Sequence, residues 1–306
     1  MFDAAASATA PATAPAAPSA LVAQRAPGVP VDRLVVGRDV DEVAALLPRL
    51  FNLCRAAQGA AVEAALGRPV ATAGIAQEIL RDHLVKFHVT WPAFFGLPPA
   101  ALPADWATGG EALRRAVFGA PGRAPVTAAE VFDFLASEDG VAPVLRRIDG
   151  CFAPGEAAAP GIAPVTPETM WDVGPVDNSV AARTADHPAM RAIEAARGRG
   201  PLWRAAARLF DIERVIAGGV AAIVAPRRGE AVVPAARGAY AVRIALDGRA
   251  VTAFARVTPT DHLLTPGGVL DRALSTLPAL KAGLGPLLLD ILDPCSPVRL
   301  REGTDA

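Results

Sequence analysis

The sequence is poor in cysteine and nearly without lysine. Its 306 residues contain three cysteines, Cys54, Cys151 and Cys295. An odd number at wide spacing argues against a disulfide framework and suits a reducing cytoplasm. No Cys-x-x-Cys occurs, so a zinc-finger type of site is not expected. Lys86 and Lys281 are the only lysines. Arginine carries the remaining positive charge, which reads as coding bias and not as function. With 30 basic and 31 acidic residues the net charge is −1, and neither nucleic acid nor a membrane surface is favoured as a partner. No run of about twenty strongly apolar residues exists, so no membrane-spanning helix is expected. Common enzyme signatures are missing as well: Gly-x-Ser-x-Gly, His-Glu-x-x-His and Gly-x-x-x-x-Gly-Lys. Gly283-x-Gly285 lacks the third glycine and the preceding strand of a dinucleotide loop.

What is present is apolar mass, 52% of the chain, enough for one large core. Residues 1–30 are rich in Ala, Pro, Thr and Ser. They lack the basic start and leucine-rich run of a secretory signal and are expected to form a disordered tail. Residues 31–306 are expected to form a single domain. In "GRDVDEVAALLPRLFNLCRAAQGAAVEAALG", Val43, Leu47, Leu50, Cys54, Ala57, Ala61 and Ala65 share a helical stripe. A break is expected at Pro48 and a stop at Gly67, which leaves Cys54 near a helix start facing inward. A second helix carries Ile75, Ile79, His83, Leu84 and Phe87 on one face and is expected to end at Pro92. Short helices follow near 111–118 and 127–137, then two more in "NSVAARTADHPAMRAIEAA" and "PLWRAAARLFDIERVIAGG". The period then changes to two around Asp247-Gly248, a hairpin signal within residues 221–262. A further helix, "VLDRALSTLPALKAG", precedes "GPLLLDILDPC", a buried helix or strand reaching Cys295. The fold class is mainly α with a small antiparallel β insertion.

The histidines do not form a ligand set. His83 and His88 are separated by roughly 140° around a helix and cannot share an ion from a straight one. Packing or surface roles fit them better, and His262 beside Asp261 is a weak signal. Free cysteine is usually a small buried apolar residue. The surroundings of two cysteines nevertheless set them apart.

"RLFNLCRAAQGAAVEAAL" resembles the first metal motif of nickel–iron hydrogenase large subunits, Arg-x-Cys-Gly-x-Cys followed four residues later by His. Arg49 and Cys54 match it, while Phe51 and Gln58 stand where the first Cys and the His would be. "LDILDPCSPVRLRE" is similar to the closing motif Asp-Pro-Cys-x-x-Cys-x-x-His. Asp293, Pro294 and Cys295 match, and Val298 and Arg301 replace the second Cys and the His. Between them, "AARGAYAVRIALDGRAVTAFARVTPTDHLLTPGG" resembles the family's Arg-Gly, hairpin and Pro-Thr segment, matched by Arg237, Gly238, Pro259 and Thr260. The resemblance spans residues 45–301, weakest in the middle third.

Keeping the cradle but two of four thiolates resembles the hydrogenase expression/formation accessory proteins of the HupK or HoxV type. The resemblance implies a large-subunit-like fold and a non-catalytic scaffold. It would transiently hold iron as Fe(CN)2CO, without nickel, through Cys54 and Cys295. Arg237, Pro259 and Thr260 would line the diatomic ligands. The implied partners are hydrogenase maturation chaperones and the large-subunit precursor. Two alternatives stay open: a divergent large subunit with redox activity, and a metal-free mimic that recruits maturation factors.

Overall fold

The computed structural model describes residues 17–51, 53–220 and 222–303. In chain order the elements are β1 (Leu21–Arg25), α1 (Val31–Val35), α2 (Val40–Leu50), α3 (Arg55–Ala65) and α4 (Ala73–Val85). A widened π turn (Lys86–Thr90) joins α4 to α5 (Trp91–Phe94). Then come α6 (Glu111–Phe118), α7 (Ala128–Ala136), α8 (Ala142–Cys151), α9 (Val180–Thr184), α10 (Pro188–Arg197) and α11 (Pro201–Ile216). The strands β2 (Val224–Arg227), β3 (Glu230–Ala235), β4 (Gly238–Asp247) and β5 (Ala250–Val257) precede α12 (Pro259–Leu263) and α13 (Val269–Ser275). A 3-10 turn (Ala279–Leu284), α14 (Gly285–Leu292) and β6 (Val298–Glu302) close the chain. The class is α+β, as the change of period indicates, and no helix among the described residues is long and apolar enough to cross a membrane.

The centre of the fold is α11. It is buried almost all round, with Trp203, Ala205, Ala207 and Ile212 inaccessible, and it packs against α4, α8, α9, α10 and α14. A helix surrounded on all sides cannot keep its polar residues in water. Each buried charge on it therefore has a partner inside the protein, as with Arg204 and Asp177 at 3.0 Å. The strands β2 to β5 form an antiparallel meander, larger than a single hairpin, and α3 covers β3 and β4. All six residues of β3 are buried. The Asp247-Gly248 turn is where the alternation placed it, with Gly248 at φ 56°.

Four expectations need correction. The tail does not extend to residue 30: Leu21–Arg25 pairs antiparallel with Val298–Glu302, from Leu21 opposite Glu302 to Arg25 opposite Val298. Leu21 and Ala23 turn toward the core while their neighbours face solvent. Residues 1–16 lie outside the described residues. Pro48 does not break its helix. It sits in the last turn of α2, its ring against Gly59 of α3, and the chain breaks after Leu50. Pro92 does not end the second helix either. The π turn before it absorbs the missing N–H, and the helix continues to Phe94. Finally, "NSVAARTADHPAMRAIEAA" forms two helices, because Pro188 starts a new one capped by His187.

Gly238 has a specific steric reason to be glycine. Its φ is +151°, and a Cβ there would lie 2.5 Å from the backbone oxygen of Asn178. The Asn178 side chain meanwhile clamps Ala239, accepting from its N–H at 2.6 Å and donating to its C=O at 2.9 Å. Gly238→Ala is expected to lose roughly 2–4 kcal/mol of stability from combined strain and overpacking, measured by urea unfolding.

Candidate metal centre

Backbone strain marks both cysteine segments. Among the described residues three non-glycine positions are left-handed: Cys54 at φ 54°, Ala157 at φ 47° and Asp293 at φ 52°. Such positions cost about 1–3 kcal/mol each and persist where the surroundings hold them. Cys54 caps the start of α3, its C=O accepting from Gln58 N–H at 2.9 Å. Asp293 ends α14 and turns the chain so that Pro294 and Cys295 fold back over α12.

Three cations hold Asp293. Lys86 Nζ reaches one carboxylate oxygen at 3.0 Å; Arg208 Nη2 and Arg237 Nε reach the other at 2.7 and 2.9 Å. They come from the π turn, from α11 and from the β3–β4 connection. Burial alone would raise the carboxyl pKa, but the three cations outweigh it and hold Asp293 down at about 2. Asp82 joins the cluster, 3.3 Å from both Arg208 and Arg237. Arg208 also donates to His83 Nδ1 at 2.7 Å, so His83 Nε2–H donates to Asp211 at 2.8 Å. Burial pushes the His83 pKa down and keeps the ring neutral. Arg183 grips Asp211 through two nitrogens, with Arg214 at 2.6 Å. Asp290 accepts from Trp91 at 2.9 Å and faces Lys86 at 3.1 Å. The cluster thus sets Lys86, Arg183, Arg208, Arg214 and Arg237 against Asp82, Asp211, Asp290 and Asp293, with Glu78 close to Asp82 and Cys54.

Beside it opens a cavity of about 220 Å³. Its wall carries both Cys54 and Cys295, with Phe51, Gln58, Tyr240, Arg256 and Pro259. Cys295 is fixed by Thr260, a fully buried residue on α12. The Thr260 hydroxyl accepts from Cys295 N–H at 2.7 Å and lies 3.0 Å from its sulfur. The Cys54 thiol is pushed well above its ordinary pKa, first by burial and then by Cys295, Asp82 and Glu78, with only Arg237 opposing them. Left alone, this thiol stays protonated and unreactive. A bound cation would supply the charge that burial withholds.

Two sulfurs thus share one cavity wall, with the Arg237 charge close to both. A protein of Rhodobacter capsulatus described as "Hydrogenase expression/formation protein HupK" is 48% identical to this chain over 274 residues, 90% of each protein. The chain belongs to the HupK family of hydrogenase expression/formation proteins. This bears out the resemblance carried by the two cysteine motifs. No protein-family model matches the chain.

For a HupK-family protein the residues singled out in the sequence divide into three groups. Cys54, Cys295 and Pro259 line the cavity together. Thr260 lies behind them, engaged with Cys295. Arg237 is not part of the cavity wall. Its Nε, Nη1 and Nη2 donate to Asp293, to Pro294 C=O at 3.1 Å and to Asp82. Its positive charge is nevertheless felt at both cysteines. Cys151 ends α8, away from this wall. Sequence reasoning missed Lys86 and Arg208 as partners of Asp293. The available signal was the burial of an Asp-Pro-Cys step, since a buried carboxylate requires cations.

Replacing Asp293 with Asn strips the counter-charge from three buried cations. Asp293→Asn should cost roughly 3–5 kcal/mol in urea unfolding. Because the native pKa is depressed, the carboxylate's contribution is present above the ordinary carboxylate range and is lost as pH falls toward about 2. The stability difference between wild type and Asp293→Asn should therefore narrow on acidification.

Proposed function

We propose that this chain is a non-catalytic assembly scaffold for nickel–iron hydrogenase. It holds the Fe(CN)2CO group between Cys54 and Cys295 and passes it to the large-subunit precursor. The observation that carries this reading is the shared cavity: thiols from opposite ends of the sequence form one wall. A large-subunit-like fold, cytoplasmic location and contacts with hydrogenase maturation chaperones belong to the same reading and are supported by family membership.

The chemistry fits the residues. Low-spin iron with cyanide and carbonyl ligands is soft, and thiolates suit it. Thr260 can donate its hydroxyl proton to Cys295 Sγ, which holds that sulfur in place. Arg237 commits its Nε, Nη1 and Nη2 to Asp293, Pro294 and Asp82, so it acts on the site through its charge and not from the cavity wall. Its charge opposes the burial that holds the proton on Cys54. Cargo binding must expel the Cys54 proton, and returning that proton favours release. A thiol that prefers its proton suits a carrier that lets go. A divergent redox subunit would need further thiolates for nickel, and the remaining cysteine, Cys151, is placed elsewhere.

Protein purified anaerobically from cells with an active maturation pathway is expected to show cyanide and carbonyl stretching bands in the infrared. Cys54→Ser and Cys295→Ser should each abolish them. A wild-type spectrum without such bands would favour the metal-free mimic, and hydrogen turnover after nickel loading would favour the enzyme.

Proton competition gives a second expectation. Retention of the bands should fall with pH between about pH 8 and about pH 6, by up to about tenfold per unit for each thiol proton displaced. Retention that is flat with pH would contradict thiolate ligation.

A further inference from the structure

The cavity wall that carries Cys54 and Cys295 also carries Tyr240 and Arg256. Tyr240, the chain's single tyrosine, is only 3% exposed, and its hydroxyl has no hydrogen-bond partner among the described residues. Arg256 lies near enough to offset part of the burial that pushes the phenol up to about 12, yet makes no well-formed hydrogen bond with it. A buried hydroxyl without a partner costs about 1–3 kcal/mol. Such groups persist where a ligand completes them.

Arg256 is unusual among the buried and half-buried arginines here. Arg183, Arg204, Arg208 and Arg237 each pair with a carboxylate. Among the described residues Arg256 pairs with none. Its guanidinium lies over the Phe51 ring at 4.5 Å, a contact that fixes its plane without using its N–H donors. Phe51, Tyr240 and Arg256 all line the cavity that holds Cys54 and Cys295. The nearest carboxylate on that wall, Asp261, is taken by Arg25 at 2.7 Å and by the Thr258 backbone and hydroxyl.

We infer that Arg256 and Tyr240 bind the negative end of a diatomic ligand on the metal, a cyanide nitrogen, within the cavity that holds Cys54 and Cys295. This rests on the iron-cargo reading and names the groups that recognise the cargo. Both side chains are donors at this site, and a cyanide nitrogen is an anionic acceptor. A carbonyl oxygen is a poor acceptor and gains little from either. The Phe51 ring holds the guanidinium ready, so little ordering is required on binding. Gln58, 4% exposed, donates to Leu53 C=O at 3.0 Å and leaves its side-chain oxygen unpartnered in the same wall. As an acceptor it cannot serve a cyanide, and it is not part of this assignment.

The test is infrared spectroscopy of the anaerobically purified full chain, with iron content measured on the same samples. The variants are Tyr240→Phe, Arg256→Gln and Arg256→Lys, each checked for folding by circular dichroism. Tyr240→Phe is expected to retain iron and to shift a cyanide band while the carbonyl band stays in place. Arg256→Gln should shift a cyanide band and lower iron retention, and Arg256→Lys, which keeps the charge but loses the planar fork, should recover retention without restoring the band position. Bands present in wild type but unmoved in all three variants would overturn the assignment and leave the scaffold reading standing. Absence of any such band in wild type would overturn both.

Discussion

The clasp on Asp293 is the contact on which the arrangement of the site depends. One carboxylate ties together the π turn after α4, the central helix α11 and the β3–β4 connection through Lys86, Arg208 and Arg237. The same residue is forced into a left-handed backbone, and that turn sends Cys295 back toward Cys54. Neither feature is stable alone. A strained aspartate needs partners to hold it, and three buried cations need an anion. Together they fix where the C-terminal thiol lies. The Thr260 hydroxyl then sets it within the cavity.

Burying so many charges is a poor way to gain stability. Apolar residues of the same size would often do as well or better. What the cluster supplies is direction: a guanidinium fixed in its plane, its charge close to two sulfurs. On the proposed reading that guanidinium is the fixed charge an anionic iron group would meet. The metal cation would then supply the charge that lets the buried Cys54 thiol ionise. On the same reading, binding and release would be linked to the Cys54 proton, and weak retention would follow from the site itself.

Much of this was legible in the sequence, and the rest had reasons to be hidden. Cys54 and Cys295 could be singled out because short motifs kept their order around them. The hairpin at Asp247-Gly248 was legible because a left-handed turn residue sits between alternating apolar residues. Strand β1 was not, because Leu21 pairs with Glu302 across nearly the whole chain and its local composition resembles a linker. The prolines misled in the opposite direction. Pro48 and Pro92 read as breakers, yet Pro48 stands where its helix is about to end and Pro92 opens a short helix after a π turn. The charged residues of α11 gave no local sign that the helix is enclosed, since their partners lie on other elements. Arg256 and Tyr240 were hidden because alternation on β4 and β5 does not say which face meets a cavity.

The central claim is that one iron is bonded to both cysteines. X-ray absorption at the iron edge, on protein isolated with its cargo, measures this directly. Two sulfur atoms bonded to each iron, alongside the light atoms of the diatomic ligands, are the predicted result. Iron bonded to a single sulfur, or only to oxygen and nitrogen, would contradict it.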